Sequence, residues 1–179
     1  GSVRAHTIDH KSNIQPAFAS GGVRKQLPGS GHLSRKDFIE VLKYATARHI
    51  QVIPEIESPG HARAAIKAME SRYEKLMKAG KPAEASRYRL IDPRDKSQYR
   101  SVQGWNDNVM DVALPSVYNF IEKVTDELIL MYKEAGAPLK TIHYGGDEVP
   151  AKVWEKSPAY LKIRSENPEI KSTDDLWYY

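Results

Sequence analysis

Ile50-Gln51-Val52-Ile53-Pro54-Glu55-Ile56 is the stretch that decides the fold. It is short, rich in β-branched side chains and free of helical period, so it reads as a buried strand. Both flanks carry the helical period instead. Upstream, Ser34 stands as an N-cap with Asp37 three residues later as a variant capping box. The helix expected from Ser34 to about His49 places Phe38, Val41, Leu42 and Ala45 on one face. Downstream, after Pro59-Gly60, a second helix is expected to start near His61 and to bury Ala65, Ile66, Met69, Tyr73 and Leu76.

Lys81 to Leu114 has no clear period, and Trp105-Asn106-Asp107 within it is turn-like. A long helix follows from about Pro115, a residue suited to the first turn, to Ala135. Val117, Phe120, Ile121, Val124, Leu128 and Tyr132 form its stripe, and Gly136 stops it. Thr141-Ile142-His143-Tyr144-Gly145-Gly146 then reads as a second strand, with a further helix from about Pro150. This alternation implies an α/β fold with parallel strands and helical crossovers. Two strands cannot close a sheet alone, so the domain is either small and open or part of something larger.

The rest of the chain sets limits. Residues from Val3 to Gly31 are rich in Gly, Pro, Ser and Asn and lack either period, so residues 1–33 read as a long loop preceding the β/α units of 34–179. The 179 residues suffice for one domain. No apolar run reaches the ~20 residues of a membrane span. The net charge of +4 is modest, and the basic stretch from Arg87 to Arg100 also holds Asp92 and Asp95, a solvated surface rather than a nucleic-acid site. Without cysteine there is no disulfide and no thiolate chemistry. No signal peptide is visible, and the compartment stays open.

Chemistry concentrates where the strands end. The first yields Glu55, Glu57 and His61 around Pro59-Gly60; the second yields His143, Gly145, Gly146, Asp147 and Glu148. In parallel α/β folds the carboxyl ends of the strands form the active-site face. Neighbouring side chains in a regular strand point apart, so Asp147 and Glu148 reach one cleft only if the backbone turns, and the diglycine allows that. Two carboxyls held close cannot both ionise easily, which leaves one as a general acid, the division of roles that glycoside hydrolysis uses. The plainer reading, that one of them caps the helix expected at Pro150, leaves the diglycine, His143 and the second acid unexplained.

His143-Tyr144-Gly145-Gly146-Asp147-Glu148-Val149 resembles the H-x-G-G-D-E signature of glycoside hydrolase family 20, the β-N-acetylhexosaminidases and bacterial chitobiases. Val52 to His61 resembles the preceding strand of that family, V-x-P-E-[IF]-D-x-P-G-H, with Glu57 where the family more often has Asp. The likeness extends from Pro28-Gly29-Ser30-Gly31 through Trp154-Glu155-Lys156-Ser157-Pro158. It implies a partial (β/α)8 TIM barrel holding roughly the third and fourth β/α units. It also implies hydrolysis of terminal N-acetyl-β-hexosamine residues by a retaining mechanism in which the substrate's own acetamido group attacks.

On that resemblance Glu148 is the acid and base, and Asp147 binds the acetamido N–H and steadies the oxazolinium. His61 lies behind the acid and touches the substrate site, and Glu57 orients the imidazole. His143 is either part of the family pattern or a satisfied core residue. The implied partners are glycans containing N-acetylglucosamine or N-acetylgalactosamine, the implied location is periplasmic or extracellular, and no cofactor or metal is implied. The segments that would supply the sugar-gripping arginine and the pocket tryptophans are absent, and Trp105 and Trp154 read as packing or loop anchors. The chain alone is therefore expected to be inactive and to self-associate. Two rival readings remain: a metal-dependent hydrolase using His61, His143, Asp147 and Glu57 as ligands, and a non-catalytic carbohydrate-binding module.

Overall fold

The computed structural model describes residues 33–178, so the expected loop from Val3 to Gly31 lies outside the described residues. Among the described residues five α-helices follow one another: α1 Arg35–Thr46, α2 Arg63–Lys78, α3 Pro82–Ser86, α4 Pro115–Ala135 and α5 Pro158–Glu166, with a 3-10 turn over Thr173–Trp177.

Local chemistry sets the ends of these helices. Ser34 and Asp37 form the reciprocal capping box of α1, the Asp37 N–H donating to the Ser34 hydroxyl at 3.1 Å and the Ser34 N–H to the Asp37 carboxylate at 3.0 Å. At its other end His49 turns left-handed (φ 58), with Ile50 N–H on Ala45 O and His49 N–H on Thr46 O, both at 3.0 Å, the pairing of a Schellman motif. Gly136 (φ 64) ends α4 in the same way, with Ala137 N–H on Tyr132 O. The bounds of α4 are those that its sequence predicts.

Helix α4 is the platform for the two strand-like segments. Its buried face carries Val117, Leu128 and Tyr132, and α1 packs against it, with Phe38 edge-on to the Tyr132 ring at 6.0 Å between centroids. The Tyr132 hydroxyl donates to Val52 O at 3.0 Å, and Thr125 and Tyr144 hydroxyls meet at 2.7 Å. One helix thus ties down both segments that end at the site.

Several sequence expectations change. Among the described residues neither segment is a strand; they share a single parallel bridge, Glu55 to His143. A pair of segments without further strands beside it is marginal as a sheet. Ile50 and Ile53, expected to be buried, are 57% and 54% exposed, because nothing among the described residues covers them. On α1 it is Ile39 that is buried beside Leu42 and Ala45, while Val41 is exposed. Helix α2 starts at Arg63, since His61 is left-handed (φ 50), and α3 interrupts the stretch expected to be irregular.

No helix begins at Pro150. Residues 151–156 turn instead, with Lys152 (φ 69) and Trp154 (φ 64) in the left-handed region, which breaks a right-handed helix. The helix starts at Pro158, capped by Ser157, so neither Asp147 nor Glu148 acts as its cap. Trp154 is turned inward, 3% exposed, and its indole N–H donates to Met110 O at 2.9 Å, the packing role its sequence position suggests.

Two core clusters flank this region. One gathers Val109, Ala113, Val153, Trp154, Tyr160, Ile170 and Leu176; the other gathers Ala62, Ile66, Leu90, Met110 and Val117. Asp111 lies between them, buried, with the Ser157 hydroxyl at 2.6 Å and the Ala113 N–H at 3.1 Å. Burial pushes the Asp111 carboxyl above its ordinary range, and the two donors only partly oppose this. The folded form therefore holds this proton more tightly than the unfolded form. The associated stability is complete below the ordinary carboxylate value of about 4 and is lost as pH rises toward the raised folded value. Asp111→Asn keeps both hydrogen-bonding positions without the charge. Urea midpoints taken from acid to neutral pH are expected to show the variant gaining on the wild type as pH rises.

Candidate active site

The two segments end side by side in parallel register. His143 N–H donates to Pro54 O (3.0 Å), Ile56 N–H to His143 O (2.8 Å) and Ser58 N–H to Tyr144 O (3.0 Å), with the Ser58 hydroxyl adding a second bond to Tyr144 O (2.9 Å). Past this point both backbones turn sharply and touch. A Cβ at Gly60 would stand 2.8 Å from the Asp147 carbonyl oxygen, so only glycine lets the Pro59-Gly60 turn lie against the Asp147-Glu148 turn. Gly145 is required twice over, by its left-handed backbone (φ 71) and by the Glu57 side chain packed on its α-carbon. Gly60→Ala is accordingly expected to destabilise the fold by about 1–3 kcal/mol through forced backbone movement, read as a lower denaturant midpoint.

These turns present the titratable groups. His61 and Glu148 both hold the left-handed backbone conformation (φ 50 each), which is strained for residues with a Cβ and clusters at functional sites. The His61 Nε2 lies 3.4 Å from the Glu148 Oε2, with side chains 27% and 45% exposed. The Gln103 amide donates to the same Oε2 at 2.8 Å. Among the described residues Oε1 of Glu148 has no hydrogen-bond partner, and neither has the exposed Asp147 carboxylate.

The remaining predicted residues are placed differently from expectation. Glu57 does not bond to His61; its carboxylate covers Gly145, and Oε2 is buried without a partner. His143 is no core residue. Its side chain is exposed, and Nδ1 lies 3.0 Å from Glu55 Oε1 while also receiving the Gly145 N–H at 3.2 Å. A single ring nitrogen cannot donate to the carboxylate and accept from the amide at once, so the two contacts belong to different placements of the ring proton. Among the described residues no three His, Asp or Glu side chains converge as a cation site. No helix of the described residues is long and apolar enough to cross a membrane.

Gln103 is the residue that sequence reasoning missed. It rides on a tight loop in which Ser101 N–H donates to Trp105 O (2.7 Å) and Gly104 N–H to Ser101 O (2.8 Å). The Arg63 guanidinium covers the Trp105 ring at 4.0 Å and donates to Asp107 at 2.6 Å, with Lys67 at 3.3 Å from the same carboxylate. Burial works against the Asp107 charge, but these two cations hold its carboxyl below the usual range. Just beyond, the Tyr99 hydroxyl accepts the Asn108 and Val109 N–H groups at 3.0 and 3.1 Å. The only hints in the sequence are Gly104 and the turn-like Trp105-Asn106-Asp107.

A cleft of about 300 Å³ opens beside the Gly146 turn, lined by Gly146, Val149, Pro150, Trp154, Asp174 and Trp177 among others. Trp177 is half-exposed there, and a Cβ added at Gly146 would stand 3.9 Å from its ring.

Known proteins share this arrangement of sequence. Residues 4–179 match the family model for the catalytic domain of glycosyl hydrolase family 20. The N,N'-diacetylchitobiase of Vibrio harveyi is 47% identical over 178 residues, 98% of this chain and 20% of that protein. The β-hexosaminidase B of Pseudoalteromonas piscicida is 42% identical over 165 residues, 92% of this chain and 21% of that protein. The chain thus spans about a fifth of the length of these relatives. Among crystal structures, the family 20 exo-β-N-acetylglucosaminidase of Vibrio harveyi bound to N-acetylglucosamine superposes with a TM-score of 0.63 at 35% identity, over 82% of this chain and 19% of that one. An inactive variant of that enzyme, with one aspartate replaced by alanine, gives 0.60 at 36% identity over 76% of this chain and 18% of its own.

Proposed function

The chain belongs to glycoside hydrolase family 20, and on that premise we propose that its parent protein removes terminal N-acetyl-β-hexosamine residues from glycans by substrate-assisted, retaining hydrolysis. The observation that carries this reading is the approach of His61 to Glu148 at 3.4 Å, which joins the two motifs at one carboxylate. In the proposed reaction Glu148 gives its proton to the glycosidic oxygen as the C1–O bond breaks. The acetamido carbonyl oxygen attacks C1 from the opposite side and closes an oxazolinium ring. Asp147 accepts the acetamido N–H and offsets the positive charge of that ring. The ionised Glu148 then takes a proton from water as the water attacks C1, so the sugar leaves with its original configuration and Glu148 is protonated again.

The named relatives support the substrate class: one is a chitobiase and another binds N-acetylglucosamine. One aspartate is indispensable in the Vibrio harveyi enzyme, as Asp147 is in this scheme. We assign the chain to a single internal segment of a (β/α)8 barrel, in which 34–179 supply roughly the third and fourth β/α units. The single parallel bridge and the exposed Ile50 and Ile53 fit segments whose sheet neighbours belong to the rest of the barrel.

Three expectations test this. The parent protein cleaves a chromogenic N-acetyl-β-glucosaminide but not the corresponding β-glucoside, which lacks the acetamido nucleophile; equal cleavage of both refutes the mechanism. The 179-residue chain by itself is inert on either substrate, because an acid without positioning groups loses most of its rate. On size-exclusion with light scattering it associates through its uncovered apolar surface; a compact monomer counts against the barrel-fragment assignment.

A further inference from the structure

Outside the two motifs, one side chain among the described residues touches the proposed acid directly. The geometry points to Gln103 as a positioning residue for Glu148, one that holds Oε2 and leaves Oε1 to carry the proton exchanged with the glycosidic oxygen. This rests on the proposed hydrolase reaction, and it adds a residue from a third segment to the site.

Ser101 is buried, accepts the Trp105 N–H on its hydroxyl at 3.1 Å, and closes the turn with its own N–H on Trp105 O. Gly104 takes a left-handed conformation (φ 83), and the Trp105 ring is pinned beneath the Arg63 guanidinium. A loop closed at both ends in this way holds its apex in place. At the apex the Gln103 carboxamide meets Oε2 at 2.8 Å, a good distance for a bond to a charged acceptor.

The amide nitrogen, not its oxygen, must face an ionised carboxylate, since two acceptors repel. The contact is therefore strongest once Glu148 has lost its proton, late in cleavage of the glycosidic bond. His61 Nε2 at 3.4 Å shares Oε2 but lies at the long edge of hydrogen bonding, so the amide is the firmer anchor. With Oε2 occupied on this side, Oε1 remains free of protein partners among the described residues.

The test is a Gln103→Leu variant of the full-length enzyme assayed on glycosides of graded leaving-group acidity. A hydrogen bond to a charged group supports a loss of about ten- to hundredfold in kcat/KM where the leaving group needs the proton, as in an alkyl or sugar aglycone. A dinitrophenyl glycoside departs without that proton and is expected to change by less than about threefold. Gln103→Glu, which sets a like charge against Oε2, is expected to lose more than Gln103→Leu on the poor leaving groups. An equal loss on all substrates means a merely structural role and overturns the proposal, as does no loss on any. A wild-type enzyme inert toward every N-acetylhexosaminide overturns the hydrolase reading as well; activity with an indifferent Gln103 overturns this inference alone.

Discussion

Glu148→Gln in the full-length enzyme is expected to lower kcat/KM on sugar aglycones by about 10²- to 10⁴-fold, the range of a lost general acid. That corresponds to about 3–5 kcal/mol of transition-state stabilisation. The amide preserves the size of the side chain at a backbone position already held left-handed (φ 50), so folding is expected to be unaffected. It cannot donate the proton that the departing sugar oxygen requires. The loss should contract sharply on a dinitrophenyl leaving group, because cleavage then proceeds without protonation. Steady-state kinetics on the two substrate types, with a thermal melt as control, provide the check. A uniform loss, or none, removes Glu148 from the acid role.

Asp147→Asn is the second large effect, about 10²- to 10³-fold in kcat with KM little changed. Asp147 makes no protein hydrogen bond among the described residues and is exposed, so its charge is not engaged in holding the turn together. What fixes its place is its backbone, with the carbonyl seated against Gly60. The asparagine oxygen still accepts the acetamido N–H, and ground-state binding survives. It brings no negative charge to the oxazolinium, whose stabilisation arises only as the reaction proceeds. A stable thiazoline mimic of that intermediate is expected to bind the variant far more weakly than N-acetylglucosamine binding alone would suggest. If the variant loses affinity for sugar and mimic in equal measure, Asp147 serves binding and not the charge.

The parts of the molecule legible in its sequence are those governed by local chemistry. The Ser34–Asp37 capping box, the stripe of α4 and its glycine stop depend on residues within a few positions of one another, and they stand as expected. The parallel course of the two segments that carry Glu55 and His143, and a backbone turn at Gly145-Gly146, also followed from patterns in the chain. What was hidden depends on contacts between distant segments. Nothing in the periodicity of Ala151 to Lys156 shows that Lys152 and Trp154 turn left-handed so that the indole can reach Met110. Glu57 looks like an orienting partner for His61 until the packing on Gly145 draws its carboxylate away. Gln103 lies in a stretch without period, and its value comes only from where the Ser101–Trp105 loop delivers it. Burial failed at Ile50 and Ile53 for a related reason, since a β-branched run is buried only where another segment covers it, and nothing among the described residues does.

Substrate-assisted attack is read most plainly from the rate of the full-length enzyme on N-acetyl-β-glucosaminides whose acetamido methyl is progressively fluorinated. Fluorine withdraws electrons from the carbonyl oxygen that is proposed to attack C1, and it does so without altering the leaving group. Attack by the acetamido oxygen gives a steep fall in kcat with each added fluorine. A flat series, with the enzyme active throughout, would mean that a protein side chain or water attacks instead, and the division of roles between Asp147 and Glu148 would be contradicted.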